Sequence, residues 1–194
     1  GRISPHDLGI WDDAHIPALR RINDFLHAHG AASGVQLAHA GRKASANIPW
    51  EGDDHIALDD PRGWPTLAPS AIPFGANLPK IPQAMTLEDI SRVRQDFVDA
   101  AHRARDVGFE WLELHFAHGY LGQSFYSLHS NHREDAYGGS LENRSRFLVE
   151  TLAAVRQVWP EHLPLTVRLG VIEFDGRDEE TLTECIELTR NFKR

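Results

Sequence analysis

The chain has 194 residues, 41% apolar and 25% charged, with a formal net charge of −8. That balance suits one soluble globular domain with a sizeable core, and an acidic chain without a basic block excludes nucleic acid or an anionic membrane surface as a natural partner. Its single cysteine, Cys185, cannot form an internal disulfide and points to a reducing, cytoplasmic setting. No apolar run approaches the ~18 residues that suggest a membrane-spanning helix, and the amino terminus is not signal-like. Gly1 is not an initiator methionine and Arg194 ends a helical pattern without a cap, so both ends are expected to be cuts.

Gly1 to Gly9 reads as a loop. A helix is expected to start at Asp12 or Asp13, with Pro17 tolerated in the first turn and Gly30 as its stop. Ile16, Leu19, Ile22 or Asn23, and Leu26 would form its apolar stripe. Val35 to His39 follows as a short strand, with Gln36 and Ala38 on the face opposite Val35 and Leu37. From Ala40 to about Met85 the periodicity breaks down, and seven of the eleven prolines fall there. A stretch this long without regular structure is uncommon inside a domain. With no complete core on either side of it, it reads as an excursion over the strand ends rather than a linker.

Thr86 and Asp89 have capping-box spacing for the next helix, whose buried stripe is Ile90, Val93, Phe97, Ala100 or Ala101, and Ala104, closed by Gly108. Trp111 to His115 alternates as a strand, and after Tyr120 a polar loop, Ser127 to Gly139, carries the breaker Gly138-Gly139. Ser140 caps a helix using Phe147, Leu148, Thr151, Leu152, Val155 and Val158, which stops before Pro160. Leu165 to Leu169 is a third strand, with Thr166 and Arg168 on one face. A last helix begins near Asp178 and is expected to bury Leu182, Ile186, Leu188 or Thr189, and Phe192. Repeated strand–helix units mark an α/β fold with a parallel sheet. GxGxxG is absent, which weighs against a doubly wound sheet. Polar residues at consecutive strand ends favour part of a (β/α)8 TIM barrel.

Those strand ends carry Gln36, His115 with His118, and Arg168. An arginine on an inward face needs an anion, either a ligand or Glu113 on the neighbouring strand; both readings stand at this level. Two imidazoles near each other suit paired donation to an oxygen that gains negative charge, and Tyr120 beside them offers a general acid. A different class of reading is a divalent-metal hydrolase using His115, His118 and Glu113. A third is a non-catalytic α/β module. His27 with His29, and His129 with His132, read as solvated chance pairs.

The segments GVQLAHAGRKAS (Gly34 to Ser45), HFAHGYLGQSF (His115 to Phe125) and SNHREDAYGGSLENRSRF (Ser130 to Phe147), with the Arg168 strand, resemble the old yellow enzyme family of FMN-dependent ene-reductases. Within it the likeness is to the bacterial xenobiotic reductase and NADPH dehydrogenase branch. The resemblance runs over essentially the whole chain and implies a partial barrel, about strands 3 to 5 with their helices, as one FMN-binding domain over residues 1–194 with the Pro-rich excursion at about 40–85. It implies FMN as cofactor, NADPH as reductant and activated alkenes or related small molecules as substrates, in a protein that allows a homo-oligomer. By position, Gln36 would meet the flavin pyrimidine edge and Arg168 the flavin N1 and O2. His115 and His118 would hold a substrate carbonyl or the nicotinamide amide, and Tyr120 would be the proton donor. The chain departs from much of the family at Ser127-Leu128-His129, where Ser-Pro-Leu is usual, which touches the local loop geometry. The branch's flavin-tuning cysteine belongs to the first strand, so Cys185 is not that residue.

Overall fold

The computed structural model describes residues 1–192. A 3-10 turn, Asp13–His15, leads into α1 (Ile16–Ala28), which is followed by β1 (Gly34–Leu37). The excursion contains two-residue strands β2 (Leu67–Ala68) and β3 (Gln83–Ala84), and then come α2 (Leu87–Val107), β4 (Trp111–Phe116) and α3 (Leu121–Tyr126). The chain continues through α4 (Leu141–Val158), β5 (Leu165–Leu169) and α5 (Asp178–Asn191).

Local chemistry sets these boundaries. Asp12 accepts from the Ala14 N–H at the start of the first turn, and Gly30 takes φ 76° just past α1, the left-handed stop that glycine allows. Thr86 and Asp89 form the reciprocal capping box of α2. Ser140 accepts from the Asn143 N–H to open α4. Along α1 it is Asn23, not Ile22, that faces inward; its amide donates to the Val107 carbonyl at 3.3 Å, whereas Ile22 is exposed.

β1, β4 and β5 form one parallel sheet in that order. Its register aligns Gln36 with Glu113, and Glu113 with Thr166; His115 pairs with Arg168 one row higher. On one face Leu37, Leu112, Leu114 and Phe116 join a single core with Ile90, Val93 and Phe97 of α2, Phe147, Leu148 and Val155 of α4, and Cys185 and Leu188 of α5. Each such side chain removed from water stabilises the fold by roughly 1.5–3 kcal/mol before entropy is counted. The opposite face holds Gln36 and Arg168, both exposed, and Trp111, 47% exposed, whose indole N–H donates to Thr166 Oγ1 at 2.8 Å. Strands in sequential order with an apolar face turned to the helices fit the expected barrel; a doubly wound sheet would need helices on both faces.

Two expectations are corrected. Helix α3 was not anticipated, because all six of its residues are buried, so it shows no amphipathic stripe for periodicity to detect. On α5 the inward residues are Thr181, Cys185 and Leu188, while Leu182 and Ile186 are about half exposed; the stripe is rotated by one residue.

The excursion is ordered rather than structureless. Its two short strands pair in parallel, and the Lys80 ammonium donates to Ser45 Oγ at 2.9 Å and to the Ile56 carbonyl at 2.8 Å, tying distant points of it together. Its first turn lies directly on α3. Gly41, at φ 60°, places its α-carbon where an added Cβ would stand 3.0 Å from the Leu121 backbone, so only glycine permits this approach.

Candidate active site

His115, next to last in β4, lies on the polar side of the sheet and is only 4% exposed. The Ala117 N–H donates to its Nδ1 at 3.3 Å, which leaves the proton of a neutral imidazole on Nε2. Burial, reinforced by His118 and Arg168 and opposed by Glu113, holds its pKa down to about 4, so the ring is neutral at physiological pH. Nε2 lies 3.1 Å from His118 Nδ1. With the proton on the His115 side, His118 Nδ1 accepts, and His118 Nε2–H is directed elsewhere. The two rings meet edge to face, centroids 4.9 Å apart.

Tyr120 completes the group, its ring 5.2 Å from that of His115 and 6.5 Å from that of His118. Burial raises its pKa above the usual phenol value, and Asp7 and Asp53 push the same way; the hydroxyl therefore keeps a proton to give. The turn that brings these residues together is unusual, since His118 and Gly119 both take left-handed φ values, 59° and 71°. For a residue with a Cβ that conformation costs about 1–2 kcal/mol.

Gln36 and Arg168 flank the histidines on the neighbouring strands. Gln36 Nε2 donates to Glu113 Oε1 at 2.6 Å. Because an ionised carboxylate only accepts, this fixes the amide's orientation and leaves Gln36 Oε1 as an acceptor for a ligand N–H. Glu113 also accepts from Thr166 Oγ1 at 3.4 Å. The expected alternative of an Arg168–Glu113 salt bridge is not formed: among the described residues Arg168 has no ion-pair partner within 4.0 Å. Gln36 and Arg168 stand two strand spacings apart, roughly 10 Å across the sheet. That span, with an acceptor at one flank and an unpaired guanidinium at the other, suits a planar heterocycle that has an N–H edge and gains negative charge.

The metal reading fares differently. Among the described residues, the ligand atoms that gather within 4.8 Å of one another belong to His129, Glu173 and Asp175, not to His115, His118 and Glu113. His129 is exposed as expected, yet it is not simply solvated, because its Nε2 lies 2.7 Å from Asp175 Oδ2. Lys43 and Gln123 also reach the His118–Gly119 turn. Both fall inside the segments that carried the resemblance, but without the tertiary contact nothing in sequence distinguishes them.

Residues 1–192 match the NADH:flavin oxidoreductase / NADH oxidase family. The chain belongs to that family. Among its relatives, an NADPH dehydrogenase of Geobacillus thermodenitrificans is 48% identical over 193 residues, covering 100% of this chain and 51% of the relative. An NADH:flavin oxidoreductase of Gibberella zeae is 43% identical over 189 residues, covering 95% and 46%. Among solved structures, morphinone reductase in complex with tetrahydroNAD superposes with a TM-score of 0.78 at 30% identity, over 95% of this chain and 53% of that one. The old yellow enzyme of a Pichia species gives 0.74 at 31% identity, over 95% and 50%. The chain thus spans about half the length of the curated relatives it matches. Membership implies FMN as the cofactor, and the polar face built from Gln36, the histidine pair and Arg168 fits such a group.

Proposed function

We propose that this chain is the sector of a (β/α)8 barrel around strands 3 to 5, in a cytoplasmic FMN-dependent ene-reductase that oxidises NADPH and reduces small activated alkenes. One observation carries the reading: Gln36 as an oriented acceptor and Arg168, which has no acidic partner among the described residues, stand on the outer two of three adjacent parallel strands, on the face away from the helices, and the neutral His115 with His118 and the protonated Tyr120 gather at the end of the strand between them.

FMN, when bound, supplies the two-electron chemistry that links NADPH oxidation to alkene reduction. Gln36 Oε1 would accept from the N–H of its pyrimidine edge, with Glu113 holding the amide in place. Arg168 contributes a fixed positive charge beside the ring oxygen and nitrogen that become electron-rich on reduction. His118 Nε2–H, and His115 Nε2–H once it exchanges its bond to His118 Nδ1 for one to the substrate, donate to the carbonyl oxygen of the substrate. That oxygen gains charge as the β-carbon accepts hydride, and donors in a buried site are worth most at that moment. The neutral His115 imidazole suits this role, since it polarises the oxygen without surrendering a proton to it. Tyr120 delivers its hydroxyl proton to the α-carbon.

The test is direct. The full-length protein should be purified yellow, bleach anaerobically on adding NADPH, and regain its visible absorption on adding cyclohexenone. A colourless protein would sink the flavoenzyme reading and leave the non-catalytic module. Hydrolysis that a chelator abolishes would instead favour the metal reading. Residues 1–194 expressed alone should bind FMN weakly and turn nothing over, because three strands leave open edges where a barrel has none.

A further inference from the structure

The left-handed turn at His118 needs a cause, because a histidine gains nothing intrinsically from φ 59°. Two side chains grip it. Lys43 Nζ donates to the His118 carbonyl at 3.2 Å, and the Gly119 N–H donates to Gln123 Oε1 at 2.9 Å. That carbonyl and that N–H belong to the same planar peptide, so the two bonds hold one rigid unit by its two ends.

Each side chain is itself held in place. The Lys43 ammonium lies 4.4 Å from the Phe74 ring centroid and 5.2 Å from that of Tyr120, a cation seated against two aromatic faces. Gln123 is buried, and its Nε2 faces Glu173 Oε1 at 3.4 Å. An ionised glutamate can only accept, so Gln123 must turn Oε1 toward Gly119. Phe74 closes the remaining side, since a Cβ on Gly119 would come within 2.7 Å of its ring. Ser124 Oγ donates to the Gly119 carbonyl at 3.2 Å, anchoring the next peptide to α3.

We propose that Lys43 and Gln123 are positioning residues which clamp the His118–Gly119 peptide and thereby aim the His118 imidazole at His115. The proposal rests on the functional reading above for its purpose, since the aimed imidazole is the second donor to the substrate oxygen. Neither residue touches the reacting atoms in this account; the clamp fixes the turn, and the turn fixes the donor. The excursion is thereby part of the active site, through Lys43 at its beginning and Phe74 further along.

The test uses full-length enzyme carrying FMN, with histidine and tyrosine ring protons observed by NMR. In the wild type, nuclear Overhauser contacts should join His115 to His118 and His115 to Tyr120, matching centroid separations of 4.9 and 5.2 Å. Lys43→Met and Gln123→Met should each lose the His115–His118 contact while keeping the His115–Tyr120 contact and the flavin. Lys43→Arg, which retains a cationic donor, should restore the first contact. kcat/KM for cyclohexenone should fall roughly 10- to 100-fold in the two Met variants, as expected when a reacting group is misplaced by about 1 Å. Retention of the His115–His118 contact in folded Lys43→Met overturns the clamp, whatever happens to turnover. Should Gln123→Met fail to fold, the half-buried Lys43 still carries the test. A wild type that shows both contacts but reduces no enone would refute the functional reading and leave the clamp standing.

Discussion

Replacing His115 by alanine separates the chemistry from the fold. The imidazole is 4% exposed and neutral, with its proton on Nε2 because Nδ1 accepts from the Ala117 N–H. The donor it offers is therefore desolvated and preoriented, the condition under which one such donor is worth about 2.7–4 kcal/mol to a developing oxyanion, or about 100- to 1,000-fold in rate. The structural cost is one the fold can bear. The variant leaves the buried Ala117 N–H without its acceptor, a cost of about 1–3 kcal/mol against a total stability of roughly 5–15 kcal/mol. Gln36 and Arg168 are untouched, so FMN should stay bound. The assay is anaerobic stopped flow: enzyme reduced with one equivalent of NADPH is mixed with saturating cyclohexenone, and the return of flavin absorbance is followed. Reoxidation by dioxygen, which has no carbonyl to polarise, serves as the control. A 100-fold slower reaction with enone and an unchanged one with dioxygen is the expected result. A rate with enone within about twofold of wild type would refute the donor role.

Tyr120→Phe should spare flavin reduction by NADPH and slow only the alkene half-reaction, since the lost proton is needed there alone; equal slowing of both halves in stopped flow would remove the proton-donor assignment. Arg168→Met should weaken FMN binding and lower the flavin midpoint potential, measured by dye-coupled reduction, because negative charge on the reduced ring loses its cation; an unchanged potential would count against it. On pH, the folded pKa of His115 is about 4 against an ordinary 6.5. Between those values the unfolded chain binds a proton that the folded chain does not, so this group's contribution to stability falls as pH drops from 6.5 to about 4 and is most favourable above 6.5. Urea midpoints from pH 7 to 4.5 should therefore decline less steeply in His115→Gln than in wild type; parallel curves would show that the ring is not held neutral.

How much of this was legible in the sequence depends on whether the signal is local. Caps are local: Thr86 with Asp89, and Ser140, announce α2 and α4 within four residues, and the structure keeps both. The phase of α5 is not, because Thr181, Cys185 and Leu188 alternate with a second apolar stripe, Leu182 and Ile186, at the same spacing; packing chose between them. The wholly buried α3 lacks a polar face to reveal it. In the site, the residue types at the strand ends could be read directly, but their pairing could not. Register places Glu113 in the row of Gln36 and Thr166 and puts Arg168 opposite His115; a shift along the strand would have given the Arg168–Glu113 bridge instead. The turn at His118 depends on Lys43, 75 positions earlier in the chain, which no local pattern contains.

The parallel sheet also has a consequence for synthesis. β1 has its partner in β4, and the Gln36–Glu113 contact spans 77 positions. At roughly 5–20 residues per second, a ribosome needs on the order of 4–15 s to make that intervening chain, while helices form within about a microsecond. During that interval the edge of β1 that β4 will occupy stays open, and the excursion has no α3 to rest on. Only four residues long, with Gln36 in its middle, β1 is a poor template for another chain in the meantime. The strand that waits longest is thus the one least able to find the wrong partner.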